Sequence, residues 1–194
     1  MKQRLLVMLI GFMTCLSMSA QNLMEFHLNI HGIFDSNDGF PSAQMDFPDK
    51  TAEELYDMVK SNVLSYYNDP KVIISDATNS YLLIRAIKPN FMTLKARSGK
   101  QPVGVQYDLK FTFKDGCIVC KGPEVKPEFI SSDQRWHHGF FPLYVIALFN
   151  KKGEVKNKDC EAKKRYIESS FNSTVNCLLG LLKTDSIEVY KGEW

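Results

Sequence analysis

The sequence lacks most of the features that announce a chemistry. It has no glycine-rich loop opening a helix, no serine in a nucleophile-elbow pattern, and no cysteine or histidine with the neighbours of a triad, so no catalytic residue is assigned. Internal repeats and low-complexity tracts are absent, which excludes solenoid and linker-like architectures. A basic excess is missing as well: 24 Lys and Arg stand against 22 Asp and Glu. Proteins that hold nucleic acid through phosphate contacts carry a clear positive surplus, so nucleic acid is not expected as a partner. Beyond residue 20, no apolar window reaches the roughly 20 residues a membrane-spanning helix needs, so no transmembrane segment is expected in the mature chain.

What is present begins with a leader. Lys2 and Arg4 precede an apolar run from Leu5 to Leu16, and Ser17-Met18-Ser19-Ala20 supplies small residues for a signal peptidase. Residues 1–20 therefore read as a signal peptide cleaved near Ser19 or Ala20, with the product periplasmic or extracellular. Lipidation at Cys15 is disfavoured, because Phe12-Met13-Thr14 offers no small residue next to it. Cleavage removes Lys2 and Arg4, leaving 22 basic residues to cancel the 22 acidic ones. The remainder is long enough to bury a core without metal or disulfide.

Charge is nonetheless segregated. Asp35 to Asp69 holds eight acidic residues against Lys50 and Lys60, whereas Lys151 to Tyr166 holds seven basic residues against Glu154, Asp159 and Glu161. Two solvated helix faces that attract each other are the expected consequence.

Leu23 to Phe34 alternates Phe26, Leu28 and Ile30 with His27, Asn29 and His31, the pattern of one half-buried strand, with a helix as the alternative, and Asp35-Ser36-Asn37-Asp38-Gly39 ends it as a turn. Residues 21–40 thus form an N-terminal extension. Ala43 to Phe47 is a second extended piece. Thr51-Ala52-Glu53-Glu54 is a capping box, and Ala52, Leu55, Val59, Val63 and Tyr66 follow at helical spacing as far as Asn68-Asp69-Pro70.

Val72 to Ser75 and Tyr81 to Ile87 read as strands, with a polar loop onward to Pro102. The clearest strand sets Val103, Val105, Tyr107, Leu109, Phe111 and Phe113 against Gly104, Gln106, Asp108, Lys110, Thr112 and Lys114. Asp115-Gly116 is a two-residue hairpin turn that returns as Cys117 to Lys121. Phe140 to Phe149 is apolar throughout and carries Pro142 near the start of a possible short helix. A last helix is expected from about Asp159 to Leu182, with Gly180 as a weak point inside it.

The order strand, capped helix, four strands, helix, with Phe47-Pro48-Asp49-Lys50-Thr51-Ala52-Glu53-Glu54-Leu55-Tyr56 at the first helix and Asn150-Lys151-Lys152-Gly153-Glu154-Val155 before the last, resembles a known family. It is similar to the domain of unknown function 4468, found in exported proteins of gut-dwelling Gram-negative bacteria, over about residues 41 to 183. The resemblance implies a TATA-binding-protein-like fold and brings no chemistry. The expected class is α+β: a curved antiparallel five-stranded sheet with two helices on one face (β-α-β-β-β-β-α) and an N-terminal strand extension. Residues 41–194 then form a single domain, with an aromatic insertion at 123–150.

Two constellations invite a metal and are set aside. In a two-residue hairpin Lys114 pairs with Cys117 and Phe111 with Cys120, so the two thiols point to opposite faces and cannot clamp one ion. With Cys160 and Cys177 they allow three pairings in an exported protein, and the sequence does not choose among them. His27, His31, His137 and His138 lack metalloprotease spacing. No metal and no cofactor are assigned. The function read from this is an exported non-catalytic binding module for a protein or glycan, with a small periplasmic hydrolase or carbohydrate-active enzyme as the alternative. Its candidate contact residues are Trp136, His137, His138, Phe140, Phe141 and Tyr144, because aromatic side chains dominate binding hot spots.

Overall fold

Alternation from Val103 onward builds the strand on which the rest of the chain assembles. In the computed structural model, which describes residues 23–67, 73–77, 80–96, 99–131, 136–137 and 140–183, Val103, Val105, Tyr107, Leu109, Phe111 and Phe113 are all buried. The described elements are β1 (Phe26–Leu28), β2 (Phe34–Ser36), β3 (Ser42–Asp46), α1 (Ala52–Tyr66), β4 (Ile73–Ala77), β5 (Tyr81–Ala96), β6 (Gly99–Lys114), β7 (Cys117–Ser131), β8 (Trp136–His137), α2 (Phe140–Leu148) and α3 (Lys158–Leu178). Strands β3-β7-β6-β5-β4 pair antiparallel in that order, and β8 adds to β7. Because β6 occupies one edge of β7, β3 and β8 share the other, at Cys117 to Lys121 and at Phe129 to Ile130.

The class is α+β as expected, but the details differ. The sheet has six strands where five were expected, and three helices are described where two were. Residues 23–34 are not one strand: β1 and β2 form a hairpin, Phe26 opposite Ser36. The Asn29 side chain closes the turn by accepting the N–H groups of His31 (2.9 Å) and Ile33 (3.1 Å). The polar loop expected before Pro102 is strand as far as Ala96 and again from Gly99. β5 and β6 stay paired to Ala96 and Gly99 across an irregularity between Lys88 and Met92, since main-chain pairing does not require apolar side chains.

Helix α1 is capped as its sequence dictates. Thr51 accepts the Glu54 N–H at 3.3 Å, and Glu54 accepts the Thr51 N–H at 2.8 Å. The thread of hydrogen bonds holds the Glu54 carboxyl below the usual range, the Thr51 backbone first. Helix α3 ends four residues earlier than expected. Gly180, at φ +74°, does not weaken the helix but stops it: its N–H reaches the Cys177 carbonyl and the Leu181 N–H reaches that of Asn176.

Both long helices lie on the sheet face that carries Tyr107 and Phe113. Phe171 of α3 meets Tyr107 edge-on at 5.2 Å, Tyr56 of α1 meets Phe113 at 5.5 Å, and Asn62 of α1 donates to the Leu178 carbonyl. The β1–β2 hairpin fills the same layer beside α3, where Phe34 packs against Phe171 at 5.2 Å. At the crossing of β2 over β7, a Cβ on Gly122 would lie 2.2 Å from the Phe34 carbonyl oxygen, so only glycine fits. Strand β1 is tied to α3 by side chains: Asn176 takes and returns the hydrogen bonds of Met24, Asn172 does so for Phe26, and Glu168 accepts the Leu28 N–H.

The ion pairs described for the basic segment are local to its helix. Lys163 pairs with Asp159, Lys164 with Glu168 and Arg165 with Glu161, all within α3.

Candidate functional site

Helix α2 has no charged residue, so sequence alone cannot tell which side of it turns inward. The fold decides. Phe141, Val145 and Leu148, at i, i+4 and i+7, are buried, and Phe91 packs against Phe141 at 6.5 Å between ring centres. The opposite side is left in solvent: Leu143 is 64% exposed, Ile146 54%, and Ala147 is exposed beside them. Ile30, 39% exposed, comes from the β1–β2 turn to the same patch and lies against Gly153. Together with Phe149, Lys151 and Lys156 these side chains border a shallow depression.

The lysines are placed by a tight turn after the helix. Phe149 bridges to Val155, the Lys156 N–H returns to the Leu148 carbonyl, and Asn150 accepts the N–H groups of Lys152 and Glu154 through its side-chain oxygen. The Asn150 amide also donates to the Glu154 carboxylate at 2.9 Å. Lys151, Lys152 and Lys156 are thereby held exposed around an apolar face.

The residues singled out from the sequence distribute unevenly. Trp136 and His137 form β8, opposite Ile130 and Phe129, and Phe140 opens α2. His138 lies outside the described residues, as does the leader. Phe141 is buried and belongs to the core. Tyr144 is half-buried, and burial raises its hydroxyl pKa. Within residues 141–149 the large exposed side chains are aliphatic, Leu143 and Ile146, and sequence reasoning passes over them for the aromatic rings. The signal that could have found them is the length of the uncharged run, which exceeds what one buried helix face needs.

Groups with strongly shifted pKa values sit elsewhere, between the sheet and the helices. Burial lowers the Lys88 ammonium to about 8; its Nζ donates to the Ser170 carbonyl (3.0 Å) and to Thr174 Oγ1 (2.9 Å). The Tyr67 and Tyr107 hydroxyls meet at 2.7 Å, and burial raises both. Burial also pushes the Cys120 thiol up. These shifts come from desolvation in a packed interior, and none of Lys88, Tyr67, Tyr107 and Cys120 borders a described cleft. Cys117, Cys120, Cys160 and Cys177 are free thiols, and among the described residues no group of three His, Cys, Asp or Glu is placed to hold a metal ion. No helix among them is long and apolar enough to cross a membrane.

No family model and no curated protein matches the sequence. Among solved structures, the chain is similar to a domain-of-unknown-function-4468 family protein from Bacteroides ovatus, at 12% identity over 72% of this chain and 84% of that one, with a TM-score of 0.51. It is also similar to a TATA-binding-protein-like protein from Parabacteroides distasonis, at 12% identity over 76% and 92% of the two chains, with a TM-score of 0.45. The first likeness carries architecture and not chemistry, in keeping with the resemblance read from the sequence: this chain shares the α+β, antiparallel-sheet fold of a domain-of-unknown-function-4468 protein.

Proposed function

We propose that the protein is an exported, non-catalytic binding module whose α2 face docks a protein partner. The observation that carries this reading is the exposure of Leu143 and Ile146 on a helix with no charge of its own, since solvent-facing apolar clusters rimmed by polar groups mark interaction surfaces. The aliphatic character of the patch favours a protein over a glycan, which stacks on aromatic rings. The lysine rim favours a partner that is acidic around an apolar centre. A hydrolase would need convergent polar side chains in an accessible cleft, and the most strongly shifted groups, Lys88, Tyr67, Tyr107 and Cys120, border none of the described clefts.

The test is site-specific photocrosslinking in the native host. A probe at Leu143 or Ile146 should give one discrete adduct that a probe at exposed Leu64 does not, and Lys151→Glu with Lys156→Glu should abolish it. Equal adducts at all three positions, or persistence with the lysines reversed, would reject the docking face. Export is tested separately: mass spectrometry should find the N-terminus at Ala20 or Gln21, and an intact Met1 would reject it.

A further inference from the structure

Strand β3 ends the described sheet, and one side of its backbone is unpaired among the described residues. The phase of that free edge is fixed. The Phe47 N–H donates to the Gly116 carbonyl (2.7 Å) and the Gly122 N–H to the Pro41 carbonyl (2.9 Å), so odd-numbered residues turn their main chain toward β7. Ser42, Gln44 and Asp46 therefore turn their N–H and C=O groups outward. The strand borders an open cleft of about 760 Å³, with Leu23 and Met45 among its apolar lining. Its charged lining is Glu25, Asp38, Asp46 and Asp49 against Lys50 alone.

We propose that β3 accepts an extended peptide segment bearing Lys or Arg as an added strand. Donors and acceptors two residues apart along an edge are matched only by another extended chain, which is the physical basis of strand addition. The sign of the cleft then selects the occupant. A second copy of this chain would bring four carboxylates against four, and residues 184–194 carry Asp185, Glu188 and Glu193 against Lys191, so neither complements it. A basic segment does. The same charge and the five-residue length guard the edge against indiscriminate pairing. This cleft shares no residue with the α2 face except that both flank the β1–β2 hairpin, so failure of either proposal leaves the other standing.

The probe is an acetylated, amidated Lys-Val-Lys-Val-Lys-Val-Lys peptide, compared with its Glu-for-Lys counterpart, titrated into the isotope-labelled mature protein by NMR. Saturable shifts and slowed exchange are expected at the Ser42, Gln44 and Asp46 amides with the lysine peptide only. Gln44→Pro deletes an outward N–H without touching the bonds to β7, and should weaken binding at least tenfold. If Gln44→Pro does not fold, Asp38→Asn with Asp49→Asn serves, with a loss of about fivefold that shrinks in high salt. Equal binding of the two peptides, shifts confined to other residues, or the same amides protected in a dimer of the protein alone would overturn the proposal.

Discussion

Lys88 Nζ and Thr174 Oγ1 meet at 2.9 Å in the layer between the sheet and α3, with the Phe171 ring 5.6 Å from the ammonium. Thr174 passes a hydrogen bond on to the Ser170 carbonyl at 3.0 Å, and the Tyr66 hydroxyl lies 3.1 Å from the same threonine oxygen. The half-buried cation is thus hydrogen-bonded by neutral oxygens, and burial lowers its pKa from 10.5 to about 8 against an opposing Coulombic interaction with Cys177.

The pH dependence follows from the sign of that shift. Between about pH 8 and 10.5 the unfolded chain holds the Lys88 proton more tightly than the folded one, so stability rises as pH climbs through this window. Cys120, Tyr67 and Tyr107 act in the opposite sense: their raised pKa values stabilise the fold below pH 9 for the thiol and below pH 10 for the two phenols, and those contributions are lost above these values. Urea unfolding should therefore show a maximum at about pH 9. Lys88→Met should flatten the rise and be at least as stable as the parent at pH 7, because an apolar side chain of similar length avoids the desolvation. A wild-type profile that is flat from pH 8 to 9 would sink this account of Lys88.

The ladder between β6 and β7 sets Phe111 opposite Cys120 and Lys114 opposite Cys117. Cys120 is fully buried and its thiol is pushed up by burial, whereas Cys117 is half-buried. Thiol labelling of the native protein should modify Cys117 at least about tenfold faster than Cys120, since the thiolate is the reacting species. Equal rates read by peptide mass spectrometry would mean that the hairpin register is wrong.

Arg85 grips Asp108 with two hydrogen bonds, 2.9 and 3.0 Å, and Lys126 adds an ion pair at 3.0 Å. Burial opposes ionisation of Asp108, but the bonds from Arg85 and Lys126 outweigh it and hold the carboxyl below 3.8. Its contribution is present above pH 3.8 and is lost as pH falls through the lower folded value. Asp108→Asn should cost about 1 kcal/mol at pH 7, discounted for the exposure of Arg85, and progressively less as pH falls below 3.8. A cost that persists undiminished in acid would point to packing instead of charge.

How much of this was legible varies by the kind of signal. The register at Asp115-Gly116 and the Thr51–Glu54 cap are local rules, each carried by a few adjacent residues, and the chain obeys them. The β1–β2 hairpin was hidden because apolar alternation runs on through Ile30, while the turn is made by the side chain of its neighbour Asn29. Gly180 was read as a flaw within α3 because only its positive φ marks it as the stop. For the exposed apolar face of α2, composition marks the segment, but an uncharged helix has no polar face to orient it, and its exposed side depends on where Phe91 and α3 lie. Glu168, Asn172 and Asn176 were silent for a related reason. Polar residues four apart on a helix read as a solvated stripe.

That stripe yields the last prediction. Four residues of helix advance about 6 Å and two residues of extended chain about 6.7 Å, so side chains at 168, 172 and 176 meet every second residue from Leu28 back to Met24, just before β1. Asn176 accepts the Met24 N–H at 2.8 Å and donates to the Met24 carbonyl at 2.7 Å; Asn172 repeats this at Phe26 with 2.9 and 3.0 Å. Glu168 accepts from Leu28 at 2.6 Å but has no amide to donate, and its charge is met by Lys164 at 2.6 Å. The helix thus does for β1 what a neighbouring strand would do. Replacing Asn176 by Ala strands two backbone groups at a buried residue, which should cost about 2 to 4 kcal/mol. Asn172→Ala should cost less, because its site is only part-buried. The distinguishing readout is local: hydrogen exchange at Met24, Phe26 and Leu28 should accelerate in Asn176→Ala under conditions where the β6 amides remain protected. If all these amides accelerate together, the hairpin has no separate opening, and the side-chain ladder is not what holds it to α3.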